Sequence, residues 1–424
     1  MRCTRSIGAG ALGIAMFLAG GSAVQAADMV LVVNDGADSG FNDATPVAPE
    51  GGNTGVTLGA QRRIAFQYAA DILGSRIDSS VPIRILAGFN PGLACERDSA
   101  TLGAAGPLSY VANFSDDDRV EQNVFYPLAL ANALLASRVA DTDNDIRATF
   151  NPNLDEGTDC LGGASWYYGV DGATPAGRPS FVSTVEHELT HGVGFVSLVA
   201  LTDNATSRAG QFPQTSNGGA RFPDIYSTFI QDLSFPGDPL WTELTDEQRA
   251  ESLTNGPDVV WSDINTGSRA ASILTDSRGL KEGRVMLYAP SSIRPGSSIS
   301  HWDISLDPDQ IMEPFATGND NVDDGIGLSA CLLEDIGWTL ANGTRCPDEV
   351  DQAVAGRDEN ETPEDPAAQP ATDDGGAATS GGSSDDGGSS GGGCTLTGEG
   401  RFEPLWVLLL AAAAAGVCRR RRVI

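Results

Sequence analysis

Two of the three histidines in this 424-residue chain stand in the stretch Ser183-Thr184-Val185-Glu186-His187-Glu188-Leu189-Thr190-His191. On a helix, positions i and i+4 share one face, so His187 and His191 can direct two imidazoles at a single metal ion. Glu188 is turned from them by about 100° of helical rotation, which places its carboxylate for a water beside the ion and not for the ion itself. Zn2+ suits such ligands and lowers the pKa of water toward about 7. Glu188 is then the base that takes the water's proton during attack on a peptide carbonyl and hands it to the leaving amine. A catalytic zinc needs a third protein ligand and an open fourth position. The remaining histidine, His301, lies in Ser300-His301-Trp302-Asp303 and is the preferred third ligand, with Asp203 and Asp224 as carboxylate rivals.

Beyond His301 comes Met312-Glu313-Pro314, and the first block continues through Gly192-Val193-Gly194-Phe195. Taken together, the two blocks resemble the metzincin zinc metallopeptidases, most closely the leishmanolysin-type family. That resemblance implies His187, His191 and His301 as zinc ligands, Glu188 as catalytic base, Gly194 at the turn ending the helix and Met312 beneath the metal. It also implies an α+β fold: a mixed sheet with helices in the N-terminal half, an active-site helix, and a less regular C-terminal half carrying the Met-turn. The substrate class it implies is protein or peptide. Physical chemistry agrees at two positions. Glycine at 194 tolerates a positive φ, and a methionine at 312 would give the imidazoles a polarizable, apolar floor. Position 197 is Ser197, where a compact metzincin motif would have its third histidine, so the long-insert version is left. His301 follows His191 by 110 residues, longer than the resemblance implies, and the insert at about 199–299 is expected to contain an elaboration. A different class also fits the residues: a non-catalytic surface adhesion or binding module that keeps the metal for stability.

The elements that must position these groups are readable in outline. Met29 to Val33 reads as a buried strand. Thr57 caps a helix whose apolar face is Ile64, Ala65, Tyr68, Ala69, Ile72 and Leu73, and Val81 to Phe89 reads as the next strand, a βαβ opening. A helix over Leu128 to Ser137 and strands over Ile146 to Phe150 and Trp166 to Val170 follow. Ser183 and Glu186 have capping-box spacing, with room for an earlier helix start. In the insert, helices are expected at Pro223 to Leu233 and at Thr245 to Leu253, the second with a Thr245/Gln248 capping box. Strands are expected at Val259 to Trp261 and Arg284 to Tyr288. Tyr288 is a weak oxyanion-donor candidate and reads better as a packed tyrosine. Ser329 to Ile336 should close the domain, with Trp338 packed behind it.

A formal charge of −31 gives no electrostatic reason to bind nucleic acid. At the N-terminus, Arg2 and Arg5 precede an apolar run and Val24-Gln25-Ala26 offers small residues for cleavage, so residues 1–26 read as a signal peptide removed by signal peptidase. Residues 27–346 read as the catalytic domain. The segment 347–393 holds twelve acidic residues against one arginine and reads as a disordered acidic linker. Residues 394–424 combine Cys394, the apolar run 404–418 and the cluster Arg419 to Arg422. They resemble bacterial C-terminal sorting signals cut by a membrane-embedded protease, a plain membrane anchor being the alternative. The protein is thus expected outside the cytoplasm of a bacterium, held on the membrane's outer side, on the cell surface, or released after processing. Of the four cysteines in the exported domain, Cys95 pairs with Cys160 and Cys331 with Cys346 in the preferred connectivity, each loop lying within one half of the domain. Ca2+ donors cluster at Asp141, Asp143 and Asp145 and at Asp320, Asp323 and Asp324. The first group lacks the glycine and glutamate of an EF-hand, so solvated acidic loops are preferred.

Overall fold

The computed structural model describes residues 25–140, 142–157, 159–204, 207–216, 218–316, 326–341 and 343–346. The linker, the sorting segment, all of the signal peptide before Gln25, and Asp141, Asp320, Asp323 and Asp324 lie outside the described residues. Among the described residues no helix is long and apolar enough to cross a membrane; the expected span 404–418 is not among them.

The fold is α+β. The N-terminal half contains strand β1 (Met29–Val33), helix α1 (Leu58–Arg76), strands β2 (Ile83–Phe89) and β3 (Gly103–Pro107), the short pair β4 (Tyr110–Val111) and β5 (Tyr126–Pro127), helix α2 (Leu128–Leu135), strand β6 (Ile146–Phe150) and helix α3 (Phe181–Val193). Its sheet has the order β1-β2-β6-β3. The first three strands run parallel and β3 lies antiparallel on β6, with Ala105 opposite Ala148. The expected βαβ opening is therefore present.

Helix α1 is capped by Thr57, whose hydroxyl accepts the Ala60 N–H at 3.2 Å. Its buried face centres on Ala65, Phe66, Ala69, Ala70 and Leu73, while Ile64 is 36% exposed. The face is rotated from the apolar periodicity because two polar side chains also turn inward. Gln61 donates to the carbonyls of Ala48 and Gly55. Arg62 pairs with Asp155 at 2.8 Å, bonds the Gly40 carbonyl, and lies 4.1 Å over the Phe89 ring. A buried arginine that has every partner it needs costs far less than an unpaired one, and hydropathy does not reveal it.

Two further expectations are corrected in this half. Helix α2 stops at Leu135, because Ala136 takes a left-handed conformation (φ 50°). Trp166 to Val170 forms no strand beyond a single bridge between Tyr167 and Ser180. Its aromatics instead pack on Phe181 in the first turn of α3, with Trp166 and Tyr168 at 5.3 and 5.1 Å. The sheet edge beside β6 is taken by β3, a glycine- and alanine-rich segment with little strand propensity of its own.

The C-terminal half is less regular. It contains a hairpin of β7 (Ala200–Asn204) and β8 (Ser207–Gln211), strand β9 (Ile230–Asp232), helix α4 (Asp246–Ser252), strand β10 (Val259–Trp261) antiparallel to β9, helix α5 (Ile264–Ala270), the pair β11 (Leu280–Lys281) and β12 (Arg284–Val285), and helix α6 (Ser329–Asp335). Helix α4 has the expected Thr245/Gln248 capping box. The expected helix at Pro223 to Leu233 is instead a 3-10 turn, Tyr226–Phe229, running straight into β9. The expected strand at Arg284 to Tyr288 shortens to two residues, after which Met286 and Leu287 make single bridges to Val260 and Trp302. Disulfides join Cys95 to Cys160 and Cys331 to Cys346, the preferred pairing. The Trp338 indole donates to the Val193 carbonyl at 2.9 Å, joining the end of α6 to the end of α3.

Asp335, the last residue of α6, accepts the Trp261 indole N–H and the Thr266 hydroxyl, each at 2.7 Å. Burial outweighs these bonds and raises its carboxyl from 3.8 to about 6. The folded protein therefore keeps a proton that the unfolded chain releases between those values. The group's contribution to stability is complete below about pH 4 and is lost as the pH rises through about 6. Asp335→Asn, which retains an oxygen acceptor, should melt above the parent at pH 7 and show no such advantage at pH 4. A constant difference across the two pH values would contradict this account.

Candidate metal centre

Helix α3 begins at Ser180, whose hydroxyl accepts the Ser183 N–H at 3.1 Å, so the cap sits one turn earlier than the Ser183/Glu186 spacing suggests. All thirteen residues of the helix are buried. The helix ends at Gly194, with φ 132° and its N–H on the His191 carbonyl, the positive φ expected of that glycine. A side chain there would also collide with Ile336 of the closing segment.

His187, His191 and His301 come together although 110 residues separate the last two. The Nε2 atoms of His187 and His301 are 3.1 Å apart and those of His191 and His301 are 3.2 Å apart. Each Nδ1 meets a backbone carbonyl: His187 meets Ile311 at 2.6 Å, His191 meets Phe195 at 2.7 Å, and His301 meets Ser297 at 2.9 Å. A carbonyl can only accept, so every Nδ1 carries the proton and every Nε2 presents a lone pair. Three lone pairs thus converge with no proton between them, an arrangement that a cation satisfies. A tetrahedral ion at about 2.0–2.1 Å from each nitrogen would space its ligands about 3.3 Å apart, close to the observed separations. The group can hold a metal ion, and among the described residues it is the one cluster of its kind.

Electrostatics point the same way. Burial, with His191 nearby, pushes the His187 imidazole down to about 3, and burial pushes His191 down to about 4. Burial and the two neighbouring imidazoles hold His301 well below its ordinary value. All three are neutral at ordinary pH, the form that ligates.

Glu188 is 2% exposed. Burial pushes its carboxyl up to about 8, opposed by a hydrogen bond from the Ala105 N–H of β3. The same strand makes room for it: a Cβ at Gly103 would stand 2.9 Å from a Glu188 carboxylate oxygen. The glycine at 103 is therefore a matter of space beside a buried carboxylate. Nothing in the sequence marked Gly103 or Ala105, because one contributes an absent side chain and the other a backbone N–H.

The rival ligands are accounted for elsewhere. Asp224 is buried, with its carboxylate taken by the Leu198 N–H and by the N–H and hydroxyl of Ser227. Asp203 is exposed and pairs with Arg208 at 3.5 Å. Of the proposed calcium donors, Asp145 is fully buried and spent on the Arg84 N–H, Asn132 and Arg138. Tyr288 is a packed residue whose ring lies edge-on to Phe315 and whose N–H bonds the His301 carbonyl. Met312 is fully buried, next to the Ile311 carbonyl that orients His187, and its own carbonyl accepts the Trp302 N–H at 2.9 Å. The turn after His301 thus reaches back to the first ligand through its backbone.

Compared with protein-family models, with curated proteins and with solved structures, the chain matches none.

Proposed function

We propose that this chain is an exported zinc endopeptidase of the metzincin type, tethered at the surface by its C-terminal segment. The observation that carries the reading is the pairing of three convergent Nε2 atoms with a buried carboxylate, Glu188, one residue along from a ligand. Zinc held by His187, His191 and His301 would supply Lewis acidity, polarising a carbonyl and lowering the pKa of water toward about 7. The chain's own residues do the rest. Glu188, aligned by the Ala105 N–H, takes the proton of the attacking water and delivers it to the departing amine. Among the described residues strand β3 ends the sheet, and the side of its backbone away from β6 has no strand partner there. An extended peptide laid along that edge would pass beside Glu188. Met312, fully buried, would form the floor of the site, and the Cys331–Cys346 staple would secure the chain ahead of the linker.

Cleavage of an unfolded protein such as casein by the purified full chain, abolished by a chelator and restored by zinc, is the test. A zinc-loaded, folded protein that cleaves nothing would favour the binding module. Within the reading, Gly103→Ala should lower kcat by about 10- to 100-fold, because the new methyl displaces Glu188 by a fraction of an ångström to an ångström. Zinc content, measured by elemental analysis, should stay at the parental level.

A further inference from the structure

The long insert does more than elaborate the surface, because residues 223–227 are bonded both to the N-terminal half and to the loop before His301. On one side the Phe125 N–H bonds the Pro223 carbonyl at 2.8 Å and the Ile225 N–H returns to the Phe125 carbonyl at 2.9 Å. On the other side the Tyr226 hydroxyl donates to the Ile299 carbonyl at 2.7 Å. Ile299 lies two residues before His301 and has φ 74°, a left-handed conformation that a β-branched residue adopts only under constraint. Its N–H is also fixed, on the Tyr288 carbonyl at 2.7 Å.

A second line of bonds converges on the same loop. Ser227 donates its hydroxyl proton to Asp224 at 2.8 Å. Its Oγ therefore accepts from the Ser197 hydroxyl, also at 2.8 Å. The Ser197 N–H then donates to the Ser300 hydroxyl at 3.1 Å. Asp224, 1% exposed, accepts at the head of this chain and so sets its direction. Ser197, where a compact motif would place a ligand, links the segment leaving α3 to the residue beside His301.

We propose that Asp224, Tyr226 and Ser227 of the insert are positioning residues for His301, holding 299–301 in the strained conformation that presents its Nε2 to the other two histidines. The proposal rests on the reading of the three histidines as a metal site. It is tested on the full chain by zinc affinity, from competition with a chromophoric chelator, by the visible spectrum of the cobalt-loaded protein, and by the melting temperature of the metal-free protein. Tyr226→Phe keeps the ring that packs on Phe195 and Trp261 and removes only the hydroxyl; Ser300→Ala removes the other anchor. Each should melt like the parent without metal, bind zinc about 10-fold or more weakly, and shift the cobalt band. Asp224→Asn should act in the same direction. Zinc affinities within twofold of a tight-binding parent, with the cobalt band unmoved, would overturn the proposal alone. Lower metal-free melting without a change in affinity would assign these residues to folding and overturn it as well. A parent that retains no zinc would overturn the metal reading, and this proposal with it.

Discussion

Glu188→Gln should reduce peptide-bond hydrolysis by about 10²- to 10⁴-fold, the range that a positioned general base contributes. The amide is nearly isosteric with the carboxyl group, and the helix, the histidines and Gly103 are left in place. It has no basic oxygen to accept a proton from water. Because Glu188 is not among the three converging ligands, zinc content should remain at one ion per chain. The glutamine carbonyl can still accept the Ala105 N–H, so the variant should fold as stably as the parent. Loss of casein cleavage with zinc and melting temperature retained is the expected pattern. Undiminished cleavage would remove Glu188 from the mechanism.

His301→Ala should have a different signature, because on the proposed reading it removes a ligand and not a base. Zinc sites bind with roughly 10–16 kcal/mol shared among about four ligands, so the loss of one costs about 3 kcal/mol, or on the order of a hundredfold in affinity. After dialysis against a weak chelator the variant should emerge without zinc and without activity. The His187 and His191 rings keep their carbonyl partners at Ile311 and Phe195, so the fold should persist. A variant retaining full zinc occupancy would show that another group is the third ligand. Neither Asp203 nor Asp224 is free to serve, given their bonds to Arg208 and to Ser227 and Leu198.

The site was more legible in the sequence than the frame around it, for physical reasons. Helical geometry makes spacing decide that His187 and His191 share a face, and with one histidine left over, His301 was the natural third member. Gly194 showed itself because a left-handed turn leaves a chemical trace, the missing side chain. The two disulfides were legible because few cysteines remained and each pair could close a loop within one half of the domain. Strand β3 was not, since Gly103, Ala104, Ala105 and Gly106 lack the β-branched or aromatic side chains by which strands are read. It is a strand because β6 offers an open edge. Trp166 to Val170 misled in the opposite direction, its aromatics suiting a strand but spent on Phe181. The inward turn of Arg62 could not be foreseen without knowing that Asp155 and Tyr168 would meet it. The anchoring carbonyls of Phe195, Ser297 and Ile311 are backbone atoms common to every residue, so sequence carries no mark of them.

Those three carbonyls have a consequence for timing. Each histidine is oriented by a segment distant from at least one of its fellow ligands, and the contact from His187 to Ile311 spans 124 residues. Contacts of such long sequence separation form late, after the loops between them have closed. If the chain is exported as proposed, it would carry His187, Glu188 and His191 out of the channel well before Ile311 and His301 could reach them. Until the whole insert has folded the three histidines are not assembled, so on the proposed reading the compartment that makes the protein would be protected by the order in which it folds.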